Sequence, residues 1–187
     1  MPNIFFISDT HFWHRNIIKN GGRPFETVDE MNRCMVSGWN AVVNPTDTVY
    51  HLGDVAMWKP QHLDICRELN GRKFLIRGNH DPFPTTVYIR VGFHDILAYK
   101  EFKDDMGGVF VCTHVPLHPN EVRPRWSFNV HGHIHQKQIQ HMEWVSECTQ
   151  QPVADPWYIC VSVEQPHVNY RPISLDKLRQ MMAARRG

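Results

Sequence analysis

Apolar residues in this chain gather in short runs, and most runs end in a small group of polar residues. Ile4-Phe5-Phe6-Ile7, within Asn3 to Ser8, has the length of a buried strand and is cut off by Asp9. Thr48 to Leu52 and Lys73 to Arg77 repeat the form, ending at Gly53-Asp54 and at Gly78-Asn79-His80-Asp81. Between the first two the period changes to that of a helix. Met31, Met35, Trp39 and Val42 share one face over Thr27 to Val43, Thr27 and Glu30 have capping-box spacing, and Asn44-Pro45 ends the segment. Pro60 suits the first turn of a helix reaching Leu69, and a further helix is expected over Thr85 to Val91.

The second half is mostly strands. His94 to Phe102 and Val109 to Thr113 read as a pair joined by Asp104-Asp105-Met106-Gly107-Gly108. Phe128 to His131 and Trp157 to Val163 follow as strands, and Ser174 can cap a last helix carrying Leu175, Leu178 and Met182. Gln136 to Pro156 has no clear period and reads as an excursion or a flexible loop. Alternation of strand and helix in the first half implies parallel strands. No linker divides the chain, and 187 residues fit one domain over 1–187.

Composition narrows the class. A formal net charge of +1 provides no global field for nucleic acid or an anionic membrane, although a local basic patch stays open. The first apolar run lacks a basic flank and no run is long enough to cross a bilayer, so a cytoplasmic protein without a membrane partner is expected. Cys34, Cys66, Cys112, Cys148 and Cys160 are odd in number and include no C-x-x-C pair, which favours free thiols over disulfides or a zinc knuckle. Cys34, Cys66, Cys112 and Cys160 read as small apolar filler.

Thirteen histidines change the picture because of where they stand. Asp9-Thr10-His11, Gly53-Asp54, Gly78-Asn79-His80-Asp81, Thr113-His114 and Gly132-His133-Ile134-His135 each follow a predicted strand. Strand carboxyl ends in an α/β sheet gather on one rim, so these five loops should converge. Carboxylate and amide oxygens with imidazoles suit a pair of divalent cations that activates a water and clamps phosphoryl oxygens. Asp-x-His and His-x-His put alternate side chains on one side of an extended segment, and the preceding glycines allow close backbone approach. His80 is placed to protonate a leaving oxygen, with Asp81 as its orienting partner.

At these residues, from Asp9 to His135, the sequence resembles the calcineurin-like metallophosphoesterase superfamily. The resemblance implies an α/β two-sheet sandwich flanked by helices, in α/β/β/α layers, with two metals at the strand ends. It assigns Asp9, His11, Asp54 and His135 to one metal. Asp54 bridges to a second, held also by Asn79, His114 and His133. His80 matches the catalytic histidine. The mixed ligand set accommodates Mn, Fe, Zn or Ni, with Mn the expected ion. Val55-Ala56-Met57-Trp58 after Asp54, and Asp81 closing the third motif, depart from the protein phosphatases of the superfamily. Ser8-Asp9-Thr10-His11-Phe12-Trp13-His14, Asn16-Ile17-Ile18 and Arg23-Pro24-Phe25 look like the small bacterial and phage phosphoesterases, so a phage-encoded origin is open.

Around this set, His14, Asn16 and Arg23 either reach substrate phosphate or belong to a structured loop whose arginine pairs with a carboxylate. Arg123 and Arg125 lie between His114 and His133 and are either bidentate phosphate contacts or solvated loop charges. His131 reads as strand packing, and Trp13, Trp58 and Trp126 as packing residues or base-stacking aromatics. The expected activity is hydrolysis of phosphodiesters or phosphomonoesters of a nucleotide or other small phosphate. A nuclease on polynucleotide ends would want a basic track. A binding scaffold of the same fold would be expected to have altered ligands. Oligomeric state is not legible.

Overall fold

The computed structural model describes residues 2–186, which build two main sheets. The first contains β1 (Ile4–Ile7), β2 (Thr48–His51), β3 (Arg72–Ile76), β4 (Phe93–Leu97) and the two-residue β11 (Ile173–Ser174), ordered β11-β1-β2-β3-β4. Strands β1 to β4 are parallel, as the alternating pattern predicts, and β11 adds antiparallel to β1. The second sheet contains β5 (Lys100–Lys103), β6 (Val109–Cys112), β7 (Asn129–His131) and β10 (Tyr158–Cys160), ordered β10-β7-β6-β5.

Strand alternation explains why the two sheets stack. Phe6, Tyr50 and Phe74 are register partners across β1, β2 and β3, and Tyr50 stacks on both neighbours at 5.9 and 5.1 Å. Phe102 and Phe110 are partners on β5 and β6, and the Phe102 ring meets Phe6 and Tyr50 edge-on at 5.2 and 4.9 Å. These five rings fill the space between the sheets in the offset and edge-to-face geometries that aromatic quadrupoles favour. The next residue along β2, His51, points to the opposite face, where Trp39 of α2 (Val28–Val42) stacks on it at 6.4 Å. The Thr27 hydroxyl accepts the Glu30 N–H at 3.1 Å, but Glu30 reaches back to the Glu26 N–H, so the capping box closes one residue early.

Three expectations need correction. His94 to Phe102 is not one strand: β4 stays in the first sheet and β5 opens the second, with the chain crossing between layers around Ala98 and Tyr99. Gln136 to Pro156 is an excursion and not a flexible loop, because β8 (Gln140–Ser146) and β9 (Thr149–Ala154) form a separate antiparallel ribbon. It lacks a readable period because almost all of it is exposed on both faces. Cys34 is exposed on α2, unlike the buried Cys66, Cys112 and Cys160. The segment read as a helix from Pro60 is a 3-10 helix, Pro60–Glu68, and α5 (Leu175–Arg186) is the capped last helix. Among the described residues, no helix is long and apolar enough to cross a membrane.

Two core histidines make the fold acid-sensitive. His51 donates from Nε2 to the Thr10 hydroxyl at 2.9 Å, which itself donates to the Val55 carbonyl at 2.8 Å. Its Nδ1 is buried with no partner, so a second proton there would be stranded. Burial, aided by His114, pushes the His51 pKa down to about 3, and burial pushes His131 to about 4. Both values lie below the unfolded value of 6.5, so this stability is complete above pH 6.5 and declines as pH falls towards 4. Urea titration of the metal-free protein should show roughly a tenfold loss in the folding constant per pH unit for each histidine. His51→Gln, whose amide can keep the donor to Thr10, should remove one proton from that slope. A slope in His51→Gln equal to that of wild type would contradict the assignment.

Candidate metal centre

The five polar motifs meet at one end of the two sheets. Ser8, just past β1, bridges in parallel to Ser162, just past β10, which fastens the sheets together beneath Asp9. Phe12 and Ala56 form a second bridge, which laces the loop after β1 to the loop after β2. The glycines permit this crowding. Gly53 has φ +93°, and a side chain on it would press its Cβ within 2.5 Å of His114 Nδ1. A Cβ at Gly132 would collide with the Ser8 hydroxyl.

Two groups of donors result. Asp9, His11 and His135 form one, and Asp54, His114 and His133 the other, each with its donor atoms within 4.8 Å of one another. Asp54 joins them: its Oδ2 lies 3.5 Å from His11 Nε2 and 3.5 Å from His114 Nε2. Asn79 completes the second group, its Oδ1 lying 2.8 Å from His114 Nε2 and 2.9 Å from His133 Nδ1. The seven residues singled out as ligands are thus brought together.

Their neighbours aim them. His114 donates Nδ1–H to the Leu52 carbonyl at 2.7 Å, so Nε2 faces the centre. His135 donates Nδ1–H to Glu164 at 3.0 Å, leaving its Nε2 3.9 Å from Asp9 Oδ1. Asp9 Oδ2 accepts the Ser8 and Ser162 hydroxyls at 2.6 and 2.7 Å, and the His133 N–H at 3.0 Å. Among the described residues, eight non-glycines have positive φ. Five of them are Asp9 (57°), His11 (46°), Asp54 (59°), His133 (70°) and His135 (53°). Backbone held in this costly region by its surroundings is characteristic of functional sites.

The electrostatics describe a site made for positive charge. Burial drives the Asp54 pKa up to about 6, with Asp9 adding repulsion against the opposing pull of His114. Burial and the Arg23 charge hold His11 well below its ordinary value, and its Nε2 is buried without a hydrogen-bond partner. An unpaired imidazole nitrogen 3.5 Å from a costly carboxylate is what a cation between them would resolve. Burial opposes protonation of His135, but the hydrogen bond to Glu164 and the Asp9 charge outweigh it, raising its basicity.

Several residues expected near substrate are placed otherwise. Arg23 is buried and donates to Glu164 at 2.7 and 2.9 Å, and to the carbonyls of Asp9 and Thr10 at 2.7 and 2.8 Å. Its charge is therefore committed to holding the first loop and Glu164, and it does not reach for phosphate. Asp81 does not orient His80. Its carboxylate accepts the N–H groups of Asp54, Val55 and Gly78 at 2.8–3.0 Å, tying the second and third loops together. Arg123 pairs with the buried Asp155 at 3.0 Å, and Arg125 with the exposed Glu121 at 3.3 Å, so only Arg125 matches the solvated-charge alternative. His14 does border the centre, with its ring 5.4 Å from that of His11, whereas Asn16 is exposed on the short helix α1 (Arg15–Asn20). The His80 ring lies 5.5 Å from His11, and its backbone N–H donates to Asp54 Oδ1 at 2.8 Å. His131 packs in the core as read, while Glu164 and Ser162 were not anticipated.

The chain is similar to several known proteins. The family model described as calcineurin-like phosphoesterase matches residues 2–181. The uncharacterised protein MJ1445 of Methanocaldococcus jannaschii is 33% identical over 186 residues, covering 97% of this chain and 92% of that protein. The gene 66 protein of Mycobacterium phage L5 is 34% identical over 167 residues, covering 74% and 80%. The crystal structure of a protein of unknown function, AQ665 from Aquifex aeolicus, matches at a TM-score of 0.70 and 27% identity, covering 97% of this chain and 100% of that one.

Proposed function

Because the chain belongs to the calcineurin-like phosphoesterase family, we propose that it is a two-metal phosphodiesterase acting on a nucleotide or other small phosphate ester. The observation that carries the proposal is the Asp54 carboxylate, shared at 3.5 Å by an imidazole of each donor group. Asp9, His11, Asp54 and His135 would hold one divalent ion, and Asp54, Asn79, His114 and His133 the other. The donor set fits: oxygens and imidazole nitrogens suit Mn, with Fe, Zn and Ni as competitors. Bound there, such ions would supply activation of the attacking water at neutral pH and neutralisation of charge on the phosphoryl oxygens.

The chain's own residues do the rest. Asp54 sets the spacing of the two groups. Leu52 and Glu164 fix the tautomers of His114 and His135, so that Nε2 of each stays available. His80, beside His11 but outside both donor groups, gives its proton to the departing oxygen. A cleft of about 660 Å³ opens beside Asn79 and His114, bordered by Thr113, Val115 and Leu117, and gives an ester group room. The preference for diesters follows from the absence of the protein-phosphatase signature around Asp54 and Asp81.

The test is turnover of bis-p-nitrophenyl phosphate. The Mn-loaded protein should cleave it, a chelator should abolish cleavage, and Mn should restore it. Turnover that survives chelation, or a clear preference for phosphoserine peptides, would overturn the proposal.

A further inference from the structure

Three tryptophans sit on loops near the motifs, and two are engaged elsewhere. Trp13 stacks on His62 at 5.8 Å, and Trp126 donates its indole N–H to Glu101 at 2.7 Å. Trp58 differs. It is 61% exposed, yet its ring runs nearly parallel to the His80 imidazole, with planes 18° apart and centroids 6.0 Å apart.

Its backbone is firmly held. The Phe12–Ala56 bridge precedes it, the Met57 N–H donates to the Phe12 carbonyl at 2.9 Å, and the Lys59 N–H closes onto Met57 at 2.7 Å. Pro60 then starts the 3-10 helix. A large apolar ring on a fixed backbone is thus kept in water beside the residue that protonates the leaving oxygen. A single exposed aromatic is ordinary on a protein surface. This one is informative because the substituent on the leaving oxygen must lie close to His80, and so close to Trp58.

We propose that Trp58 is a stacking platform for a flat aromatic ring on the leaving alcohol, so that the preferred substrates are phosphodiesters that release a nucleoside. The inference rests on the phosphoesterase proposal and on His80 as the acid. In the reaction the oxygen of water joins phosphorus, and the bond from phosphorus to the leaving oxygen breaks with its electron pair. His80 passes a proton to that oxygen, and the proton left over from water returns to the imidazole. The products are a phosphate monoester and the nucleoside. Stacking recognises the face of a base without reading its edges, so the identity of the base should matter little. The near-neutral net charge favours a small diester over a long polynucleotide, whose backbone would want a basic track.

Two methyl phosphodiesters separate the possibilities. One releases thymidine through its 5′-hydroxyl, and the other releases the matching abasic sugar, so the leaving oxygens are alike and only the base differs. Mn-loaded wild type should favour the thymidine ester in kcat/KM by about 5- to 150-fold, the range for a base on an aromatic side chain. Trp58→Ala should bring the ratio close to one, and Trp58→Phe should keep most of it. Equal rates in wild type, or a Trp58→Ala loss that falls equally on both esters, would overturn the platform. A structural support of His80 would give that equal loss. Titration with thymidine, followed by tryptophan fluorescence, provides a readout independent of turnover. Quenching in wild type that is absent in Trp58→Phe, without hydrolysis of any ester, would keep the platform and sink the phosphoesterase proposal. Hydrolysis of both esters with no thymidine binding would do the reverse.

Discussion

Asp54→Asn should cost the protein both of its cations while leaving it folded, and turnover of diesters should fall below detection. The carboxylate is placed against an imidazole of each donor set, 3.5 Å from His11 and from His114. Its loss should weaken binding by more than the roughly 10–100-fold typical of removing an outer partner of a ligand. The metal-free variant should be at least as stable as metal-free wild type. Burial has already pushed the Asp54 pKa up to about 6, so at pH 7 the ionised carboxylate is a burden on the empty fold. Metal titration and urea unfolding of the two proteins would check both halves. A variant that keeps both ions, or that fails to fold, would show that Asp54 has another role.

His80→Ala should behave oppositely. It should retain the ions, because the His80 ring belongs to neither donor group and its backbone N–H to Asp54 survives the change. It should lower turnover by about 10²–10⁴, the usual contribution of a positioned acid. The loss should shrink for p-nitrophenolate, which leaves without much protonation, and grow for alcohols. Metal content and rates on a good and a poor leaving group give the comparison. Loss of metal on the scale of Asp54→Asn would move His80 into the metal shell. Full activity on poor leaving groups would place the acid elsewhere.

The parts that were legible in the sequence share a local cause. Asp9, Asp54, Asn79, His114 and His133 each follow an apolar strand by two or three residues, so pattern alone carried them to one rim. The parts that were not legible depend on partners far along the chain. Arg23 in its Arg-Pro-Phe setting looks free to meet phosphate, yet its carboxylate is Glu164, 141 residues away. Nothing near Glu164 in sequence announces that it also steadies His135. Asp81 next to His80 suggested a pair, but both oxygens of Asp81 are taken by backbone N–H groups of three residues in two loops. The break at Ala98 and Tyr99 carries no glycine or proline, so a crossing between sheets looked like one continuous strand. Ser162 escaped notice because its bond to Asp9 spans 153 residues, although Ser8, which makes the same bond, stands directly beside Asp9.

The central claim is that one carboxylate joins two cation sites, and counting ions tests it most directly. Elemental analysis of Mn-saturated protein, with anomalous diffraction to place the ions, should find two per chain. One should lie among Asp9, His11 and His135 and the other among Asn79, His114 and His133, with Asp54 touching both. A single tetrahedral zinc with no open position, which is the mark of a structural site, or saturation at one ion per chain with Asp54 uninvolved, would contradict it.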